Sequence, residues 1–423
     1  MALDRSQAPL SAPVTSIDLV KAESFILTNG VPVHVVRVAH QPVVKIELIL
    51  KACKWNEPQN GVSYFASKML SEGTRKRTAA QIADYIDGLG AFLDISSGID
   101  QSSVSIYCLT KHFHPMVELL SELLYDSVFP QAELEIQKNI KTQSLKVDLE
   151  KNNVVASKIF REKLFGKNHP YGQTIAEKDI PSINSPLLQY YHQFNMLPEI
   201  ELILSGDVPS DLKSLQKCFG SKSSTRPTPP IHIMPDPQKG QFVEERKEAV
   251  QSSLRIGCRM FTKRHPDYIP MMIVNEILGG YFGSRLMKNI REEKGFTYGI
   301  SSSVVSLKHQ GYWIIGTDVK KEYTQQTLDE IYKELHILCT VPVPADELET
   351  VRNYMAGSLL ASINTPFALA DKFKGVYFYG LNYKFYQDFL STLYQITPED
   401  IMRYSQKYFV RENLTEVIVG GMA

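Results

Sequence analysis

Apolar and polar residues alternate through Val44, Ile46, Leu48 and Leu50, and again through Val104, Ile106 and Cys108. A period of two predicts strands with one face on a core. The stretch 111–135, KHFHPMVELLSELLYDSVFPQAELE, follows a different period. Met116, Leu119, Leu120, Leu123 and Leu124 share one helix face, and Pro115 suits the first turn. In the second half GYWIIGTD (311–318) comes after GISSSVVSL (299–307) across a polar break, which predicts two more strands. Strands come early in each half and helices come after them. The expected fold class is α+β, a mostly antiparallel sheet with helices packed on one face.

The densest breaker segment is SKSSTRPTPPIHIMPDPQKG, residues 221–240, with prolines at 227, 229, 230, 235 and 237. Proline fixes φ and removes donors, so an extended linker is expected there. It divides the chain into 1–220 and 241–423, two similar lengths that invite a search for duplication. Residues 111–135 resemble 320–349: each is a helical face, a short breaker and a Pro/Glu-Leu-Glu helix start. Residues 186–208 resemble 399–421: each is a helix with paired aromatics running into a short apolar strand and glycine. Both matches have nearly the same offset and keep the same order, so two homologous domains are expected.

Composition narrows the function classes. Lys+Arg and Asp+Glu are both 46, so no global positive field draws nucleic acid or an anionic membrane. No apolar run is long enough for a membrane span. The first residues, MALDRSQAPLSAPVTSIDL, show no apolar leader, which points to the cytoplasm, or to the periplasm had a leader been removed. The five cysteines are scattered and form no Cys-x-x-Cys, which argues against a disulfide framework.

Two segments carry a family resemblance. They are LTNGVPVHVVRVAHQPVVKIELILKACKWNEPQNGVSYFASKMLSEGT (27–74) and LGGYFGSRLMKNIREEKGFTYGISS (278–302). Both resemble the inverted-zincin peptidases: insulinase, pitrilysin and the mitochondrial processing peptidase group. The order of features is similar from about residue 20 to 420. The resemblance implies two αβ domains forming half of a clamshell.

The family's zinc motif is His-x-x-Glu-His on a helix, two imidazoles on one face and a glutamate that takes a proton from metal-bound water. Aligned through Ser71-Glu72-Gly73-Thr74, the first His position falls on Tyr64, the Glu position on Ser67 and the second His position on Lys68. The distant glutamate ligand falls near Ser144 or Leu145, where no carboxylate stands. A lysine ammonium has no lone pair to give a metal. The resemblance thus implies no metal in this chain.

The second segment keeps what the family's C-terminal half supplies: an Arg and a Tyr seven residues apart, here Arg291 and Tyr298. Arg presents a planar fork of donors, and Tyr can donate to a developing oxyanion. The resemblance therefore implies a non-catalytic subunit that binds peptide or unfolded protein. It would lend Arg291 and Tyr298 to the zinc site of a related chain with intact His-x-x-Glu-His, inactive alone and able to pair with itself when isolated. The alternative is a peptidase-fold scaffold or peptide-binding protein with no catalysis.

Other signals read as structural. His112-x-His114 precedes a helix as a loop and cap, and His169 in GKNHPYG sits in a turn. Gly279-Gly280-x-x-Gly283-Ser284 lacks the Lys-Ser/Thr ending of a phosphate loop. Ser214-x-x-Lys217 has no Lys-Thr-Gly companion, and Arg75-Lys76-Arg77 reads as a solvated loop. The aromatics of 376–389 are expected to pack a helix on its sheet.

Overall fold

The structure, a computed structural model, describes residues 13–220 and 231–422. The first half runs β1 (Glu23–Ile26), β2 (Pro32–Arg37), β3 (Val43–Leu50), α1 (Val62–Lys68), α2 (Ala79–Gly88), β4 (Phe92–Ser97) and β5 (Ser102–Leu109). It continues with α3 (Phe113–Tyr125), α4 (Gln131–Glu150), α5 (Asn152–Phe165), α6 (Ser185–Tyr191), β6 (Ile200–Gly206) and α7 (Lys213–Phe219). The second half opens with β7 (Gly240–Glu245), β8 (Gln251–Met260), α8 (Tyr268–Asn275), β9 (Thr297–Ser306) and β10 (Gly311–Lys320). Then come α9 (Thr324–Thr340), α10 (Ala345–Ala361), α11 (Pro366–Tyr377), α12 (Lys384–Gln395), α13 (Pro398–Tyr408) and β11 (Thr415–Gly420).

Strand order exposes the duplication. The first sheet is β1-β2-β6-β3-β5-β4 and the second is β7-β11-β8-β10-β9. With β1 set aside, the two orders are the same. So are the directions: β2/β6 and β7/β11 are parallel, and every other pairing is antiparallel. The α+β class with two homologous halves is therefore present. Of the Pro-rich stretch, 221–230 lies outside the described residues, and 231–239 carries no regular element.

Each half packs its own helices on one face of its sheet, around Val44, Ile46, Leu48, Val104 and Leu202 in the first and Ile256, Ile315 and Ile418 in the second. The opposite face is covered by a helix from the other half. α5 lies on β8 and β11, where Val155, Ala156, Phe160 and Leu164 bury themselves against Val417 and Val419. α11, at the equivalent place in the second half, lies on β2 and β6, with Leu369, Ala370 and Val376 in one cluster with Val36, Ile49 and Ile203.

This crossing explains why β3 is buried along most of its length. Its polar face, Lys45 and Glu47, meets α11 instead of water. Lys374 Nζ on α11 donates to both Glu47 oxygens at 2.8 and 2.9 Å, and Lys45 Nζ lies 3.0 Å from Oε2. Nearby, His34 packs against the stacked rings of Phe373 and Tyr377. The aromatics of 376–389 do hold helix to sheet: Tyr377 stands over His34, and Tyr386 and Phe389 are core residues.

A second seam joins the halves through rings. Trp55 is ringed by His169, Tyr171, His232 and His309 at centroid distances of 4.6–5.2 Å. Asp100 accepts from Trp55 Nε1 at 3.0 Å, Tyr171 OH at 2.7 Å and the Lys308 amide at 2.9 Å. Tyr171 OH in turn accepts from the His309 amide. His169 is buried, and its Nε2 has no hydrogen-bond partner among the described residues. Burial, with His232, Arg259 and His309 adding to it, pushes its pKa down to about 4.

Two outcomes test these seams. Lys374→Ala strands a buried carboxylate, and with Lys45 still present the loss is about 3 kcal/mol, the low end for such a break. The triple variant Lys45→Met/Glu47→Leu/Lys374→Met recovers most of it, because apolar replacement of a buried ion set is close to neutral. Urea unfolding measures both, and an unshifted midpoint for Lys374→Ala refutes the role of the pair. For His169 the folded pKa lies below the ordinary 6.5, so the unfolded chain takes the proton first. The associated stability is present above pH 6.5 and is lost as pH falls toward 4. His169→Gln flattens that slope in melting curves taken across this window.

Candidate functional site

α1 carries the degenerate motif. Gly61 turns into it with φ +97°, a left-handed conformation suited to glycine. Glu57 Oε2 caps the helix by accepting from the Gly61 and Ser63 amides at 3.1 Å and from Ser63 Oγ at 2.8 Å. Burial raises the Glu57 pKa against these hydrogen bonds.

The three motif positions go separate ways. Ser67 is buried and donates to the Ser63 carbonyl at 2.8 Å. Lys68 Nζ donates to the Ile95 carbonyl on β4 at 3.1 Å. Tyr64 faces a cleft of 580 Å³, and Lys141 Nζ on α4 sits 4.8 Å from its ring centroid. Leu145, and not Ser144, lines the same cleft. Where the family places a dication between two imidazoles and a carboxylate, this chain has a phenol, an ammonium and an aliphatic wall. The donor set does not fit zinc, and among the described residues no group of three His, Cys, Asp or Glu could hold a metal.

The cleft reaches from α1 across α4 and α5 to Arg255 on β8. Asn153, Ser157 and Arg161 line it from one face of α5. Arg255 Nε donates to Ser157 Oγ at 3.1 Å and pairs loosely with Asp318 at 3.8 Å. Lys54 donates to the Gln173 carbonyl, and burial pulls its pKa down to about 8, with Glu57 opposing and Arg161 assisting. Lys54, Lys141, Lys158 and Arg161 were not visible as a group in the sequence. Only the spacing of Asn153, Ser157 and Arg161 by four could have suggested a polar helix face.

Tyr298 stands at the start of edge strand β9 with its side chain 95% exposed. It lines a 980 Å³ groove with Asn152, Gln251 and Asp318, and a 410 Å³ groove with Arg255, Ser301 and Gly316. These hollows share lining residues with one another and with the cleft at Tyr64: Arg255, Asn153, Gln251 and Asp318. One concave surface thus runs from α1 to Tyr298. Arg291 lies outside it. Its guanidinium stacks 4.6 Å from the ring centroid of exposed Phe282, and it pairs with none of the described carboxylates.

The minor signals resolve structurally. His114 Nδ1 bonds Ser214 Oγ at 3.0 Å, and Lys217 pairs with Glu118 at 3.1 Å. His112 directly precedes α3. The glycine run ends a wider helical turn, Glu276–Gly280, kinked at Gly279. The basic triplet is not simply solvated: Lys76 pairs with Asp126 at 3.0 Å, and Arg77 pairs with buried Glu122. Helix α3 brings those carboxylates to the loop, which sequence order alone does not reveal.

Protein purified without a metal-affinity tag is expected to hold well under about 0.1 zinc per chain by elemental analysis, since no ligand set stands among the described residues. About one zinc per chain, retained through mild chelation, contradicts the loss of the metal site from the cleft.

Residues 34–177 match the insulinase model, peptidase family M16, and residues 186–355 match the peptidase M16 inactive domain. An uncharacterized zinc protease, YmxG, of Bacillus subtilis is 25% identical over 315 residues, 72% of this chain and 75% of that one. The mitochondrial-processing peptidase subunit beta of Bos taurus is 24% identical over 323 residues, 73% of this chain and 66% of that one. A crystal structure of a peptidase M16 inactive domain from Pseudomonas fluorescens superposes with a TM-score of 0.86 at 23% identity, covering 95% of this chain and 98% of that one. Two models of one family in tandem across residues 34–355, in a chain whose two sheets share one strand order, make this chain a member of the insulinase peptidase family M16, one whose own zinc helix lacks the ligands.

Proposed function

We propose that this chain is the non-catalytic subunit of a two-chain zinc peptidase. It binds peptide along its concave surface and lends Arg291 and Tyr298 to a zinc site held by a related chain with intact His-x-x-Glu-His. The observation that carries the reading is the state of Tyr298: a 95% exposed phenol on the rim of that surface. A structural tyrosine would be half-buried with its hydroxyl engaged. A structural arginine would hold a carboxylate, and among the described residues Arg291 holds none. The relative called subunit beta is, by its name, one part of a larger enzyme, which supports a partner chain.

In that role Tyr298 donates a hydrogen bond to the oxyanion that forms as the peptide carbonyl is attacked. Arg291 leaves the Phe282 ring to hold the same oxygen or a neighbouring carbonyl through its fork of N–H groups. Both act on a reaction whose metal and general base belong to the partner. A second reading, a scaffold with no catalysis, draws on the description of the matching solved structure as an inactive domain.

Co-purification from the native host identifies the partner, and a quenched fluorescent peptide then separates the readings. Each chain alone is inert in the first reading if the partner needs the Arg/Tyr pair, and this chain alone is inert in both. In the mixed enzyme Tyr298→Phe lowers kcat by about 10²- to 10³-fold, the typical loss of one preorganised donor. Its thermal midpoint stays put, because the hydroxyl is exposed. Arg291→Ala moves kcat and KM together. A rate loss under about threefold with a clear drop in melting temperature returns both residues to structural roles and leaves the scaffold reading in front.

A further inference from the structure

We propose that the cleft beside α1 is an anion site that holds the free C-terminal carboxylate of a peptide where the family's ancestral arrangement would hold a metal. This deepens, and rests on, the peptide-binding part of the function proposed above.

The cleft collects cations from two helices. Lys141 comes from α4, and Lys158 and Arg161 from α5. None of the three pairs with a described carboxylate. The acids that share the cleft each hold a partner of their own. Asp148 pairs with Lys151 at 3.1 Å, Glu177 lies 3.8 Å from Lys146, and Glu57 Oε2 caps α1. Unpaired like charges on one wall raise each other's cost, and an anion entering the cleft relieves it. Burial disfavours the charged form of Lys141, with Asp148 opposing, and its ammonium lies over the face of Tyr64.

The chemistry favours a carboxylate on a peptide over a free inorganic anion. The guanidinium of Arg161 has the planar fork that matches a carboxylate. Leu145, Ile99, Val154 and Ile175 supply apolar wall beside the cations. A hollow of 580 Å³ lies in the size range of sites that enclose a small organic ligand and not a bare ion. Glu57, Asp148 and Glu177 around the same cleft also tolerate a single negative charge better than the double charge of phosphate.

The isolated chain is titrated calorimetrically with acetyl-Ala-Ala-Leu-Ala-Leu ending in a free carboxylate, and with the same peptide ending in a carboxamide. The free acid is expected to bind about tenfold or more tightly than the amide, the scale of a charge-assisted hydrogen-bond set. Lys141→Gln and Arg161→Gln are each expected to bring the free acid down to the level of the amide while leaving the amide unchanged. Both side chains are partly exposed, and a melting curve for each variant verifies folding. Should one variant fail to fold, the other and the acid/amide comparison decide. Equal affinity for acid and amide, insensitivity to both substitutions, or no binding of either peptide overturns the proposal. Inorganic phosphate competing as strongly as the free-acid peptide also overturns it, leaving only a general anion site. These results are independent of the Tyr298→Phe rate loss, so the catalytic reading can stand or fall separately.

Discussion

The structure depends on a reciprocal crossing. α5 leaves the first half to cover the second sheet, and α11 leaves the second half to cover the first. A sheet face carrying apolar side chains such as Val36, Ile49 and Ile203, or Val417 and Val419, is not left in water, because buried apolar area is the main favourable term in folding. Each half therefore needs a helix of the other. Phe160 and Leu164 beneath Val417 and Val419, and Leu369 and Val376 beside Val36 and Ile203, are the contacts that make two similar halves one body.

The same crossing builds the functional surface. Because α5 lies on β8 and β11, its outer face sits beside Arg255 and opposite α1. The cleft at Tyr64 and the grooves at Tyr298 thus become continuous, although 64 and 298 belong to different halves of the duplication. Each of the three motif positions has a structural partner. Ser67 is tied back to its own helix, Lys68 to the edge strand, and Tyr64 lies under an ammonium.

The seam on the α11 side shows how polar residues adapt to the crossing. Lys45, Glu47, His34 and Glu201 point to the sheet face that α11 covers, and each is largely buried. Buried charges persist only when paired. Lys374 comes down onto Glu47, Lys51 reaches Glu201 at 2.7 Å, and His34 packs against two stacked rings. The Trp55 cluster closes the junction from the other side, with rings drawn from residues 55 to 309 around Asp100.

By itself the sequence determined the strand at Val44–Leu50, the helical face from Met116 to Leu124, the order of the repeated helix–strand units, and the absence of zinc ligands at Tyr64, Ser67 and Lys68. These rest on local periodicity and side-chain chemistry, which neighbouring residues carry within themselves. Tertiary structure alone decided that the polar face of β3 is buried, that Arg77 finds Glu122, and that Lys141, Lys158 and Arg161 converge on one cleft. It also decided that Tyr298 lies on the concave surface while Arg291 rests on Phe282 beyond it, despite their spacing of seven. The reason is that alternation in a strand says which residues share a face but not what covers that face. Only the long-range passage of α5 and α11 from one half to the other supplies the cover.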